Sequence, residues 1–245
     1  MKLSKLNICY ISNSAAPSSN ASSLQISKLC ETLSKLGNSV TLILPNTGNL
    51  KKNFFKFYNI KNRFRIKRIK YFNKFPIGFN YYLYSIVSIL ISNYRSRDLF
   101  ITRNFFTSFL LSILNKKHIF EIHDDISIEG RVVNFLIKSL KILNYEPTIK
   151  IVTTTKSLKK KYIQYGIKKK KIVVLHNASS LKSRIKKYSS KSKKLKIGYF
   201  GSIFNSRGIQ MIIKISKIDF KNDYYVYGGT KDQISDIKKN LNNKN

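Results

Sequence analysis

Short apolar runs of strand length alternate along this chain with segments in which apolar residues recur every three to four positions. Strands are predicted over 7–12, 39–44, 64–71, 98–102, 118–122, 149–153 and 171–175. Between them, helices are predicted over 21–36, 80–93, 105–114, 128–143 and 157–165. In the helix over 21–36, Leu24, Ile26, Leu29, Leu33 and Leu36 give a broad apolar face, and Gly37 is placed to end it in a left-handed conformation. Strand–helix alternation with short connections predicts a parallel sheet covered by helices on both faces.

The pattern breaks at 179–194, which is rich in Ser and Lys and poor in apolar residues, and reads as a linker. Beyond it come a strand over 195–200, a helix over 208–217, a strand over 223–227 and a helix over 232–241. Two strands and two helices cannot bury both faces of a sheet. The expected organisation is therefore a first domain over 1–178, a linker over 179–194 and an incomplete second domain over 195–245.

Composition narrows the class. Hydrophobic residues make up 42% of 245, which is globular. The net charge of +36 points at first to nucleic acid or an anionic membrane. The lysines, however, are spread along the chain and accompany abundant Asn, Ile, Phe and Tyr, a mixture that A/T-rich codons favour. No nucleic-acid module appears, so nucleic acid is disfavoured as a partner. Cys9 and Cys30 sit among apolar residues and read as buried free thiols. Three histidines and two separated cysteines match no zinc spacing, and no metal is expected. The N-terminus lacks a signal-peptide apolar region, and the apolar stretches around 81–91 and 105–114 fall short of the ~20 residues that span a bilayer. The expected location is the cytoplasm, with room for peripheral contact on the inner face of the cell membrane.

The richest local chemistry lies in Ile197-Gly198-Tyr199-Phe200-Gly201-Ser202-Ile203-Phe204-Asn205-Ser206-Arg207-Gly208-Ile209. A strand runs into a glycine, and a cation plus a second glycine then open a helix. Backbone N–H groups and an arginine would meet at one spot, as phosphate binding requires.

Three regions together with this loop resemble a family 4 glycosyltransferase of the GT-B type, which has two Rossmann-like domains. Asn20-Ala21-Ser22-Ser23-Leu24-Gln25 through Leu36-Gly37-Asn38-Ser39-Val40 is similar to the family's opening, with Asn38 where a His is usual. Asp98 to Arg103 and Phe120-Glu121-Ile122-His123-Asp124 resemble strand ends that face the family's cleft. The segments 151–157 and 171–178 are similar to its last N-domain strands. The Gly201–Gly208 loop matches Gly-Arg-x-x-x-x-Lys-Gly in spacing, with Ser202 for Arg and Arg207 for Lys.

The resemblance implies an α/β fold and a retaining transfer of a sugar from a nucleotide-sugar donor to a cell-envelope glycan or lipid-linked acceptor, with no metal. It assigns His123 and Glu121 to catalysis. Gly201, Ser202, Arg207 and Gly208 would hold the donor phosphates, and Ser22, Ser23 and Arg103 would line the acceptor side of the cleft. Arg207 can grip phosphate bidentately, whereas Ser202 brings a hydroxyl without charge. The family's E-x7-E ribose-binding pair finds no counterpart, since the last glutamate is Glu146. A C-terminally shortened enzyme is expected; the rival reading is an inactive remnant that only binds.

Overall fold

The computed structural model describes residues 5–70, 77–126, 130–178, 194–201, 203 and 208–242. Two compact units divide the chain, residues 1–179 and 180–245. The linker expected over 179–194 lies outside the described residues except for its last position.

The first unit is built on seven parallel strands: β1 (Asn7–Ile11), β2 (Ser39–Pro45), β3 (Arg65–Ile69), β4 (Leu99–Thr102), β5 (His118–Ile122), β6 (Thr148–Thr153) and β7 (Ile172–Val174). Their order is β3-β2-β1-β4-β5-β6-β7. The chain winds outward from β1 in one direction, then returns to β4 and winds outward in the other. β1 and β4 thus flank the point where the winding reverses, and at such a point the C-terminal strand ends leave an open crevice.

Central strands covered on both faces need apolar residues at every position. Accordingly, Ile8, Cys9, Tyr10 and Ile11 of β1 are all buried, as are Val40 to Pro45 of β2. Alternation sorts them between layers. Ile8, Tyr10, Leu42 and Leu44 pack with Ile26 and Cys30 of helix α1 (Ala21–Lys35) and with Phe54 of α2 (Phe54–Phe57). Cys9, Ile11, Ile43 and Phe100 pack on the opposite face with Tyr84 and Ile89 of α3 (Ile77–Ile91) and Leu111 of α4 (Phe105–Ile113). A third cluster joins Phe120 and Ile151 to Ile137 of α5 (Arg131–Lys138) and Tyr162 of α6 (Lys156–Gln164).

Three details depart from the sequence expectations. The buried face of α1 is Ser23, Ile26, Ser27 and Cys30, while Leu24 and Leu36 are exposed. Small serines let the helix lie close to the sheet, and Ser27 Oγ satisfies itself on the Ser23 carbonyl at 2.7 Å. The helix expected over 128–143 is regular only over Arg131–Lys138. Lys141 then turns left-handed at φ 49° and swings Ile142 and Leu143 into the core as a 3-10 turn. Helix α2 was not expected at all; Asn53 caps it by accepting from the Lys56 N–H at 3.0 Å. Past the end of β5, Asp125 pairs with Lys161 of α6 at 2.6 Å.

Gly37 ends α1 as expected, at φ 89°, with its N–H on Ser34 O and the Asn38 N–H on Leu33 O. Asn38 has a structural task there. Its Oδ1 accepts from the Leu6 N–H at 3.1 Å and its Nδ2 donates to Leu33 O at 3.0 Å, which ties the start of β1 to the end of α1.

The second unit holds β8 (Lys196–Phe200) and β9 (Asp223–Tyr227), a parallel pair, with α7 (Ile209–Ser216) and α8 (Lys231–Asn242). β8 alternates exposed and half-buried positions, β9 is half-buried over its first two residues and exposed over its last three, and Phe200, Ile218 and Phe220 are exposed.

Candidate active site at the sheet edge

At the C-terminal edge of the first sheet, one carboxylate oxygen gathers three polar side chains. Glu121 sits on β5 between Phe120 and Ile122, only 9% exposed. Its Oε2 accepts from Tyr10 Oη of β1 at 2.8 Å and from Arg103 Nε, just past β4, at 2.7 Å. His123 Nε2, one residue past the end of β5, lies 3.8 Å from the same oxygen, an ion-pair rather than a hydrogen-bond distance. Arg103 Nη1 also reaches Gln25 Oε1 of α1 at 3.5 Å.

The topology explains why these residues meet. Arg103 follows β4 and His123 follows β5, so neighbouring parallel strands release them side by side at one edge. Tyr10 belongs to β1, which pairs with β4 on its other side. The cluster therefore occupies the place where the winding reverses, where open α/β sheets receive ligands.

Electrostatics grade its members. Burial alone would push the Glu121 carboxyl up, but His123, Arg103 and Tyr10 outweigh it and hold the group below the ordinary carboxylate value. Burial works to lower the Arg103 guanidinium, and Tyr10 and Glu121 more than restore it. Burial raises the Tyr10 phenol well above its usual value, and the Glu121 charge adds to the effect. Tyr10 is therefore a fixed donor and Glu121 a fixed anion. His123 is the most open of the ionisable members, its side chain 27% exposed against 16% for Arg103 and 10% for Glu121.

The acceptor-side serines divide. Ser23 is buried, and its hydroxyl donates to the Ala15 carbonyl at 2.7 Å, next to Ser18 Oγ at 3.1 Å. It thereby fixes the loop that follows β1. Ser22 is half-buried on the first turn of α1. Tyr10 and Gln25 were missed from sequence. The available signal for Tyr10 was a lone phenol inside an aliphatic strand, since a buried Tyr hydroxyl needs a partner.

In the second unit, Gly201 ends β8 and donates its N–H to Tyr227 O at 3.0 Å. A Cβ on Gly228 would fall 2.2 Å from Gly201 O, so the two strand ends approach within glycine-only distance. Gly208 caps α7 at φ 76°, and its carbonyl accepts from Met211 and Ile212. Ser202 and Arg207 lie outside the described residues. Among the described residues no group of His, Cys, Asp and Glu could hold a metal ion. A basin of about 740 Å³ opens at the opposite, N-terminal edge of the first sheet, lined by Lys117, Glu146, Lys168 and Lys170 among others.

A doubly wound parallel sheet with a polar cluster at its reversal point, followed by a second α/β unit, defines the GT-B class of architecture. The profile of Glycosyltransferase Family 4 matches residues 24–182, and the chain belongs to that family. No curated protein matches it by sequence. Among solved structures it is similar to HepE of Anabaena in complex with UDP, at 13% identity and a TM-score of 0.66, over 97% of this chain and 66% of that one. It is similar to a glycosyltransferase of Rickettsia africae at 16% identity and a TM-score of 0.63, over 98% of this chain and 65% of that one. A UDP-GlcNAc 2-epimerase of Methanocaldococcus jannaschii shares the fold at 13% identity and a TM-score of 0.55, over 98% of this chain and 71% of that one. The chain thus spans about two thirds of the length of HepE and of the Rickettsia enzyme.

Proposed function

We propose that the chain acts in a retaining glycosyl transfer from a nucleotide-sugar donor to a cell-envelope glycan or lipid-linked acceptor, in peripheral contact with an anionic membrane. The observation that carries the reading is the Tyr10–Arg103–Glu121–His123 cluster at the reversal point, in a chain of this family. HepE, a structural neighbour, is found in complex with UDP, a nucleoside diphosphate of the kind a donor sugar leaves behind.

In this reading His123 contacts the transferred sugar from the first domain. Glu121 is a positioning residue: its shared oxygen holds Arg103 and orients His123 without leaving the core. Arg103 keeps a guanidinium at the edge for an acceptor oxygen or a phosphate. Ser22 and the loop fixed by Ser23 border the acceptor side. On the donor side, Gly201 allows close backbone approach, Ser202 offers a hydroxyl, and Arg207 with the α7 start at Gly208 supplies positive field. As the glycosidic bond breaks, negative charge grows on the departing diphosphate, and that field stabilises it. Main-chain dipoles and an arginine can do this without a metal.

The test combines binding with chemistry. A nucleotide sugar at millimolar concentration should raise Tm, because a ligand of the folded state stabilises it. His123→Ala should abolish transfer with the fold intact, and anomeric NMR should report a product with the donor's configuration. A flat melting response with every common donor would sink the transferase reading and leave the binding-only remnant.

A further inference from the structure

Helices α3 and α4 are apolar on both faces: Tyr84, Ile89, Phe105 and Leu111 enter the core, yet a second apolar stripe faces outward. On an ordinary surface helix the large apolar residues face the core and polar ones face water. In α3 the inward positions include Asn80, Ser85 and Ser88, with Ser92 just past its end, all buried. The outward stripe is Tyr82, Ile86 and Leu90, exposed by 48%, 43% and 64%. Their spacing of four keeps them on one face. α4 repeats the arrangement: Thr107, Ser108 and Ser112 are buried, while Ile113 and Leu114 are exposed and Phe106, Phe109 and Leu110 are half-buried. The two stripes join where the Tyr82 and Phe106 rings meet edge-on at 4.7 Å, and Phe106 stacks on Phe109 at 6.0 Å.

Several of the inward hydroxyls are absorbed by the fold, whereas Ser88 Oγ and Thr107 Oγ1 are buried without a partner. Ser85 donates to Tyr81 O, Ser92 to Ile89 O, and Ser108 meets His118 Nε2. Small inward residues draw the helices close to the sheet and to each other, as small residues do between helices in lipid. The outward face gains nothing from water.

Charge is arranged to match. Neither helix contains a charged residue, in a chain that is 24% charged. Cations gather instead where both helices end. Arg95 and Lys116 lie against the ring of Tyr94, at 6.0 and 5.5 Å from its centroid. Neither makes an ion pair with a described acid. An apolar plateau edged by an aromatic residue and unpaired cations fits the boundary between acyl chains and anionic headgroups. Fifteen residues of α3 span about 22 Å, short of the ~30 Å hydrocarbon core. Among the described residues no helix is long and apolar enough to cross. The helices would lie on the membrane.

We infer that the α3–α4 face seats this protein on an anionic lipid bilayer, with Tyr82, Ile86, Leu90, Phe106 and Ile113 entering the acyl boundary and Arg95 and Lys116 meeting the headgroups. The inference rests on the membrane contact proposed above and is independent of the transfer reaction. Tyr84, on the inward side of α3, donates its hydroxyl to Ser12 O at 2.6 Å, just past β1. That bond packs the inner face of α3 against the chain just past β1, at the C-terminal edge of the sheet from which His123 also emerges.

The experiment is flotation of the full chain with phosphatidylcholine vesicles containing about one-third phosphatidylglycerol, against pure phosphatidylcholine, at low and high salt. The wild type should float with the anionic vesicles, less so at high salt. Ile86→Glu with Leu90→Glu should lower partitioning at least about tenfold, given the burial of two aliphatic side chains. Arg95→Gln and Lys116→Gln should each lower it about fivefold. Both apolar positions face water, so circular dichroism and Tm should hold; Ile86→Ser with Leu90→Ser serves if the glutamates disturb folding. Undiminished flotation of the glutamate variant would overturn the inference. So would a wild type that ignores vesicles and sediments as a dimer which the same variant splits. Because no donor is present, failure here leaves the transfer reading standing, and a failed transfer assay leaves this one.

Discussion

The phenol of Tyr10 and the carboxylate of Glu121, 111 residues apart in sequence, meet in a 2.8 Å hydrogen bond on the face of the sheet that α1 covers. Tyr10 is fully buried, so this bond anchors Glu121 from inside while Arg103 holds it from the edge. Tyr10→Phe removes the inner donor and keeps the ring. It should cost about 1 kcal/mol in urea unfolding and raise the Glu121 pKa. A larger loss of transfer than of stability would show that the anchoring serves His123.

Arg103→Ala leaves the Glu121 charge in the core with one fewer partner. Removing one member of a buried pair typically costs about 3 kcal/mol. The double variant Arg103→Ala with Glu121→Gln should recover part of that loss, because the orphaned charge is gone. Additive costs in the cycle would mean that the two residues do not act as a pair.

His118 governs acid stability. Burial pushes its imidazole down to about 4, assisted by the Lys171 charge and opposed by the Lys116 carbonyl. Its Nδ1 meets Lys116 O, and its Nε2 meets the hydroxyls of Ser108 and Thr148. The unfolded chain binds a proton near 6.5 and the folded one does not until about 4, so stability falls as pH drops through that window. The loss should total about 3 kcal/mol. Glu121 acts lower: its stabilisation is present above 4.5 and disappears as pH falls through its depressed folded value. Urea midpoints against pH check both, and His118→Gln should flatten only the upper window.

Two glycines of the second unit should respond unequally to alanine. Gly208→Ala meets open space and suffers only the left-handed φ of 76°, a cost of about 1 kcal/mol. Gly228→Ala drives a methyl to 2.2 Å from Gly201 O at φ 127°. It should separate the ends of β8 and β9 and abolish any donor-induced rise in Tm, which differential scanning calorimetry with nucleotide sugar would read.

Much of the fold was legible because strands buried on both faces must be apolar throughout. The runs centred on 8–11 and 40–44 betray themselves for that reason, and Gly37 marks a helix end because few other residues tolerate φ 89°. Orientation of helices was less legible. Leu24 and Leu36 looked inward by hydrophobicity, yet the sheet takes Ser23 and Ser27, because how closely a helix approaches depends on side-chain size and not only on polarity. α3 likewise buries Ser85 and Ser88 beside Tyr84 and Ile89 and leaves Ile86 and Leu90 exposed.

The sequence by itself determined the alternation of elements and the parallel sheet, because apolar periodicity is local, and its resemblance to the family singled out His123, Glu121 and Arg103 as candidates. The tertiary structure alone decided that Tyr10, Arg103 and His123 gather around one carboxylate oxygen of Glu121, and that Gln25 joins Arg103. Strand order is a long-range property: β1 lies beside β4 only after the winding reverses, and no local pattern encodes which strand ends become neighbours.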